Sequence, residues 1–553
     1  MASGKKTCTT IEIYALIRAN KGNLPSMHTL LPFLLAMIAA IVMLNMLASK
    51  LRIAYPILLV VAGLLVSFVP GLPMLRINPD LIFFIFLPPL LFEASWTISF
   101  KEMKKWWRII GSFAFLVVFF TALSVAIVAN HFIPGFTIAS GFLLGGIVSP
   151  PDAVSTGAIT KFVKIPKSTA TILEGESLLN DASSLIVFRF ALVAVGTGQF
   201  IWQEAALSFL WMAIGGAGLG LLLAWLFVQA HKRLPLDAQS AIALTLIEPY
   251  FMYWIAEQVH CSGILAVVCG GLYMSARRLI FLDSASRIQS FSVWESFVFI
   301  LNGVVFLIIG LELPEIVEGL RNEGISLRIA IGFGVLVTGV LIAARMISSY
   351  AALLATIIFR PGVVPRARNN RRRWLMPLLL GWTGMRGVVS LAAALAIPIT
   401  LDNGAAFPHR NLILVITFVA ILLTLVVQGL TLPYLIKRTE LFDGSADEEL
   451  EESTRKKMKQ GLKQHVYEFL KTKYDNDVIG HAGMEKFLKQ WEERAKASDD
   501  SWMNYKTKVI FVEVLEIQRQ YLSELNKDPL IDENIIRQQL YQIDLEEERL
   551  KII

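Results

Sequence analysis

Glu176, Ser177, Asn180 and Asp181 fall within the stretch Glu174-Gly-Glu-Ser-Leu-Leu-Asn-Asp-Ala-Ser183. The surrounding run, from about Ser168 to Thr197, is otherwise apolar and long enough to cross a bilayer. An ionised side chain near the middle of such a run is costly and needs a compensating role, most often an ion or proton site. Ser177 and Asp181 are four residues apart and share one helix face, which Ser184 continues. Glu176 and Asn180 form the neighbouring strip, so one strip can hold an ion while the other pairs with a cationic side chain.

Two further apolar runs carry polar breaks. Ser149-Pro150-Pro151-Asp152 places two prolines in succession ahead of a carboxylate. They remove backbone donors and disfavour regular helix, which frees carbonyls that a bound cation could satisfy. Gly141, Gly145 and Gly146 precede this break and allow close helix approach. Gly381-Trp-Thr-Gly-Met-Arg-Gly387 is broken by glycines every third residue and holds Arg386 at mid-depth. A buried arginine needs an acidic partner, and Glu176 is the expected one; an arginine that only neutralises carbonyls at the helix break is the alternative. Other intramembrane polar groups carry less. Glu93 follows Leu87-Pro-Pro-Leu-Leu-Phe92 near a span end, Arg189 is expected to snorkel, Asn302 reads as a packing amide, and Glu248, Glu257 and His260 have no assigned role.

Elements long enough to position these groups are plentiful. The chain has 553 residues, 55% of them hydrophobic and 17% charged, which a soluble protein of this length would not tolerate. Apolar runs begin near Leu30, Ala54, Leu81, Ile109, Thr137, Ser168, Ala205, Ala241, Gly263, Ile288, Leu327, Leu375 and Leu412, about thirteen spans in all. Basic clusters follow the odd-numbered spans: Lys50 and Arg52, Lys101 to Arg108, Lys161 to Lys167, Lys232 and Arg233, Arg277 to Arg287, and Arg360 to Arg373. The positive-inside rule then places the N-terminus outside and the C-terminus in the cytoplasm. The broken runs are the fifth and the twelfth, at matching places in two halves, which points to an inverted-repeat secondary transporter.

The expected architecture is an all-α membrane protein of about thirteen transmembrane helices in two inverted repeats with broken crossing helices. Residues 1–27 form an N-terminal extension, 28–437 the transmembrane domain and 438–553 a small helical cytoplasmic tail. Two readings of residues 1–26 stay open, a leader or a natural start at Met27. The tail is net acidic, shows helix-period runs at Val509 to Leu525 and Ile535 to Leu545, and carries Asp528-Pro529 as a cap between helices. Gly215, Gly216, Gly218 and Gly220 read as a packing face, with a subunit contact as one use.

Several functions are disfavoured by what the sequence lacks. No phosphate-binding Gly-rich loop with Gly-Lys-Ser/Thr is present, so ATP-driven transport in this chain is not expected. Three cysteines make no disulfide framework and no zinc site. There is no Ser/His pair, Gly-x-Gly-Asp or His-Glu-x-x-His for an intramembrane protease, and no Thr-Val-Gly-Tyr-Gly filter for a channel. The basic residues mark cytoplasmic loops rather than nucleic-acid binding, and neither enzyme chemistry nor a cofactor is expected.

The segment Gly175 to Ala182 resembles the signature of monovalent cation:proton antiporters of the sodium/proton exchanger type, in the branch with Asn-Asp. Leu87-Pro-Pro-Leu-Leu-Phe-Glu93, Ser262-Gly-Ile-Leu-Ala266 and Met385-Arg-Gly387 are similar to further family motifs in the same order. The resemblance covers nearly all of Leu30 to Lys437, and the tail is only loosely similar to bacterial members. It implies that Asp181 binds the ion and the proton, that Asp152, Ser177 and Glu93 contribute to the same site, and that Asn180 stands where the electrogenic branch has a second aspartate. It implies a structural ion pair of Glu176 with Arg386, and a homodimer. One departure concerns the fifth span: the family's proline follows the aspartate, whereas here Pro150 and Pro151 precede Asp152 and an alanine follows. Ser149 and the Pro151 carbonyl are the alternatives for the ligand there. The expected activity is electroneutral exchange of one Na+ (Li+ being a further candidate) for one H+ in a plasma or inner membrane, serving pH and sodium homeostasis. A K+-preferring exchanger of the same fold is the nearest alternative.

Overall fold

The computed structural model describes residues 27–547 apart from 52, 70–78, 99, 153–156, 158–166, 199–201, 360–369, 402–403, 440–443, 475–481, 497–504, 526–538 and 541. The N-terminal extension, Lys161, Lys164, Arg360 to Arg368 and Asp528-Pro529 therefore lie outside the described residues. The chain divides into two compact units, Met1–Phe442 and Asp443–Ile553.

The first unit is built of helices. In chain order they are α1 (Met27–Leu51), α2 (Tyr55–Val66), α3 (Pro79–Thr97) and α4 (Phe100–Gly111), the last continuing through a π-helical turn at Ser112–Val117 into α5 (Val118–Phe132). Next come α6 (Ile138–Val148), α7 (Lys167–Thr197), α8 (Trp202–Arg233), α9 (Ala238–Gln258), α10 (Gly263–Phe281) and α11 (Ser284–Leu311). The short α12 (Leu313–Asn322) precedes α13 (Leu327–Phe359), then α14 (Asn370–Trp382), α15 (Val388–Leu395) and α16 (Arg410–Leu423). A second π-helical turn at Thr424–Gln428 leads into α17 (Gly429–Thr439).

Eight of the described helical stretches are long and apolar enough to cross a membrane, and three shorter apolar helices accompany them: Tyr55–Val66, Phe84–Thr97 and Ile138–Val148. The chain is a multi-pass membrane protein. Many of its large apolar side chains, such as Met43, Leu116 and Ile214, are exposed on the helix bundle, which is the arrangement a lipid solvent requires.

Both expected helix breaks are present. The fifth apolar run stops being helical after Val148, and the twelfth is interrupted between Trp382 and Val388. The prolines account for the first break and the glycines for the second. Helix starts follow the sequence as well. Thr137 caps α6 by accepting from the Ser140 N–H at 3.2 Å, and Ser262 caps α10 by accepting from the Leu265 N–H at 3.3 Å.

Close helix packing is concentrated at small residues. A Cβ on Gly141 or Gly145 would come within 2.7 and 2.5 Å of the Ala126 and Ala122 carbonyl oxygens of α5, and one on Gly146 within 2.9 Å of the Phe188 nitrogen of α7. The glycine face of α8 packs within the chain: Gly216 and Gly220 lie against Ser262 and Ala266 of α10. Gly218, by contrast, has nothing within 4 Å of where its Cβ would be. Two large hydrophobic cores result, one around α2, α6, α11, α13 and α16, the other around α3, α8, α9 and α10. Helix α7 contributes to both, through Phe188 and Ala191 to the first and through Leu178 and Ala182 to the second.

The second unit contains α18 (Gly444–Tyr474), α19 (Ala482–Lys496) and α20 (Tyr505–Leu525), with helical turns again at 542–547. Leu515 and Ile543 form a small core with Phe511 and Leu522. Arg519 pairs with Asp544 at 2.8 Å and with Glu547.

Candidate functional site

The two broken helices meet. The Asp152 backbone N–H donates to the Met385 carbonyl at 2.7 Å, so the break after α6 lies against the break between α14 and α15. Gly387 leaves room for Asp152 at this crossing, since a Cβ there would sit 2.4 Å from an Asp152 carboxylate oxygen and displace it. Helix α7 runs beside both breaks. Its Ser177 Oγ donates to the Pro151 carbonyl at 3.2 Å, and Asn180 Nδ2 reaches the same oxygen at 3.5 Å.

Asp181 follows on that face. It is 8% exposed, and among the described residues its carboxylate accepts no hydrogen bond. Asp152 lies within Coulombic reach of it. Tyr55, at the start of α2, is within Coulombic reach of both Asp152 and Glu93. Asp181, Asp152, Ser177 and Pro151 therefore converge at the helix crossing, with Glu93 beside it on α3. Ser149 is buried there too, and among the described residues its hydroxyl has no hydrogen-bond partner; the same holds for Asn180 Oδ1. Among the described residues no group of three or more His, Cys, Asp or Glu side chains could hold a metal ion. Any cation at the crossing would be coordinated by two carboxylates supplemented by hydroxyl and carbonyl oxygens, a donor set suited to a hard monovalent ion.

The arginines are arranged otherwise than expected. Glu176 does not pair with Arg386. It pairs with Arg345 of α13, whose guanidinium makes a two-pronged contact, Nη1 to Oε1 at 2.6 Å and Nη2 to Oε2 at 2.9 Å, while Nε donates to the Leu380 carbonyl at 3.2 Å. Both side chains are buried. Arg386 instead serves the freed carbonyls. Its Nε donates to Val148 O at 2.7 Å, Nη2 to Ser149 O at 3.3 Å and Nη1 to Gly384 O, and its backbone N–H donates to Thr424 Oγ1 at 3.1 Å. A guanidinium has five donors in a fixed fork, enough to satisfy the end of α6 and the end of α14 at once. The Val148, Ser149 and Pro151 carbonyls at the first break are thus met by Arg386, Ser177 and Asn180.

Arg345 escaped the sequence reading although its signal was available: an arginine in the middle of the apolar run Leu327 to Phe359, well inside the Arg328 at its start. Tyr55 also escaped it, as a tyrosine at the head of an apolar span has no distinctive pattern. Arg189 does not merely snorkel. It pairs with Glu257 of α9 at 2.7 Å, and both line a cavity of about 670 Å³ that extends to Ala182, next to Asp181. Glu257 also accepts from the Gly263 N–H at 3.2 Å. Glu248 pairs with His231 at 2.8 Å in a buried contact away from the crossing.

A buried carboxylate with no hydrogen bond among the described residues, held beside two broken and crossing helices, is the arrangement expected of a membrane-embedded secondary transporter. The chain belongs to the sodium/hydrogen exchanger family, whose transmembrane family model ("Sodium/hydrogen exchanger, transmembrane") matches residues 34–438. It is 30% identical over 531 residues to an uncharacterized Na(+)/H(+) exchanger of Mycobacterium tuberculosis, covering 94% of this chain and 95% of that one. It is 32% identical over 397 residues to the sodium, potassium, lithium and rubidium/H(+) antiporter of Bacillus subtilis, covering 69% of this chain and 58% of that one. The fold is similar to the structure of a sodium proton antiporter from Methanocaldococcus jannaschii, with a TM-score of 0.57, 19% identity and coverage of 75% of this chain and 98% of that chain. The chain is accordingly a cation:proton antiporter.

Proposed function

We propose that the chain exchanges Na+ for H+ one for one, without net charge movement, both ions competing for Asp181. The observation that carries this is Asp181 itself, buried on α7 with no hydrogen bond to its carboxylate. A lone carboxylate inside a membrane is stabilised by taking up either a proton or a cation. Na+ would be held by Asp181 and Asp152, with oxygens from Ser177, Ser149 and the Pro151 carbonyl, and Glu93 beside Tyr55 would line the approach. Asn180 carries no proton to exchange, so loaded states are matched in charge. The breaks after α6 and between α14 and α15, together with α7, would move against the remaining helices and expose the site to each side in turn. No cofactor enters this scheme.

The basic loops support an N-terminus outside and a C-terminus in the cytoplasm of a plasma or inner membrane, and the family resemblance supports a homodimer. The role would be pH and sodium homeostasis. Li+ fits the same oxygens. K+/H+ exchange is the second reading, favoured by the Bacillus subtilis relative, whose name includes potassium. Inside-out vesicles energised to an acidic interior, with a proton-sensitive dye, test these together. Na+ and Li+ should release protons at lower concentration than K+. A response to K+ alone would favour the second reading, and no response to any of the three would remove the antiport assignment.

A further inference from the structure

Helix α4 has the sequence Phe-Lys-Glu-Met-Lys-Lys-Trp-Trp-Arg-Ile-Ile-Gly. Lys101, Lys104, Lys105 and Arg108 recur at helical spacing and form one exposed stripe. Ile110, on the opposite side, is buried and packs on Gly175 of α7. The helix runs on through the π-helical turn into α5 as one long apolar stretch, and basic residues at the end of a span sit at headgroup level. Glu102 takes up one charge of the stripe, pairing with Lys105 at 3.9 Å.

The stripe leads into a cavity of about 800 Å³. Lys105, Trp106 and Arg108 stand at its basic end, and its walls continue along Leu116 and Phe120 on one side and Ala352 on the other. It is thus charged at one end and apolar along its length. Two features prepare the charged end. Lys105 and Arg108 lie over the Trp106 and Trp107 rings, each 5.4 Å from the ring centroid. Among the described residues the buried Trp106 indole N–H has no hydrogen-bond partner, an orphan donor on a residue that lines the cavity. The π-helical turn at Ser112–Val117 forms part of the same wall; such turns recur at functional sites.

We propose that this cavity binds an anionic phospholipid, its phosphate at Lys105, Arg108 and the Trp106 N–H and an acyl chain along Leu116 and Phe120. A zwitterionic lipid would bring a cationic group to the basic stripe, and a free anion would leave the apolar length unfilled. The position gives the lipid a consequence. Leu380 lines the cavity and also accepts from Arg345, and Ser349, another lining residue, donates to the Arg345 carbonyl at 2.9 Å. An occupant would brace α13 and α14 behind the Glu176–Arg345 pair.

The test uses the full chain, stripped of lipid in detergent, and follows its thermal midpoint during titration with phosphatidylglycerol, phosphatidylcholine or inorganic phosphate. Phosphatidylglycerol should raise the midpoint saturably and the other two should not. Lys105→Gln with Arg108→Gln should increase the half-saturating phosphatidylglycerol concentration roughly thirtyfold, as expected for losing two basic contacts with an anionic surface. Ala352→Leu, which fills the apolar length and keeps the charges, should also abolish the shift. Lys232→Gln, at a different basic loop, should leave it intact. The proposal is overturned if phosphatidylcholine stabilises equally, if inorganic phosphate reproduces the shift, or if the Lys105/Arg108 variant titrates like the parent protein.

Discussion

Replacing Glu176 by glutamine or Arg345 by methionine should each destabilise the folded protein by about 3–5 kcal/mol, because each leaves one buried charge without its partner. The size follows from the geometry. The two-pronged contact spans 2.6 and 2.9 Å, and the two side chains are only 1% and 3% exposed, so water cannot replace the lost partner. The double variant removes both charges together and should be far less damaged than the sum of the singles, giving a coupling of about 3 kcal/mol. The parallel cycle of Glu176→Gln with Arg386→Met should yield about 1 kcal/mol or less, because Arg386 donates to carbonyls of Val148, Ser149 and Gly384 and not to Glu176. The unfolding free energy of each variant in detergent micelles, from denaturant titration, supplies both cycles. A coupling to Arg386 as large as that to Arg345 would refute the assignment of the ion pair. Additive losses in the Glu176/Arg345 cycle would show that the contact contributes nothing of its own.

Asp181→Asn should abolish cation-driven proton movement while expression and chromatographic behaviour persist; retained exchange in that variant would displace the proposed site. Clamping the membrane voltage at different values with K+ and valinomycin should change the exchange rate little, and a steep dependence would contradict a one-for-one mechanism. Gly387→Ala should fold, because the clashing atom is the end of a side chain that can move, yet displacement of the Asp152 carboxylate should raise the KM for Na+ about tenfold, a loss of order 1.4 kcal/mol; an unchanged KM would remove Asp152 from the site. Arg386→Lys should cost about 2 kcal/mol or more in unfolding free energy, since one ammonium cannot reach carbonyls on both helix breaks, and wild-type stability would mean that those contacts are dispensable.

The residues that break the helices announced themselves. Two prolines ahead of Asp152 and the glycines around Arg386 place the interruptions correctly because proline and glycine act through the local backbone. The strip holding Ser177 and Asp181 was legible for the same reason, as helical periodicity fixes which neighbours share a face. Cap residues such as Thr137 and Ser262 are local in the same sense. The pairing of charges was not local. Glu176 could be seen to need a cation and Arg386 an anion, and the simplest pairing joined them. The other reading of Arg386, as a neutraliser of carbonyls at a helix break, was also open, and nothing local could show that Arg345 reaches Glu176 first or that the Val148, Ser149 and Gly384 carbonyls occupy the Arg386 fork.

The sequence by itself determined that the chain crosses a membrane many times, that two of its helices are broken, and that a carboxylate is buried at Asp181, since hydropathy, backbone stereochemistry and charge are properties of each segment alone. The tertiary structure decided which partners those charges find. A guanidinium satisfies whichever carboxylate or carbonyl oxygens packing brings within about 3 Å of it, and that choice depends on how α7, α13 and the two breaks are set against one another. Among the described residues it also left the Asp181 carboxylate without a hydrogen bond, the observation on which the proposed ion site rests.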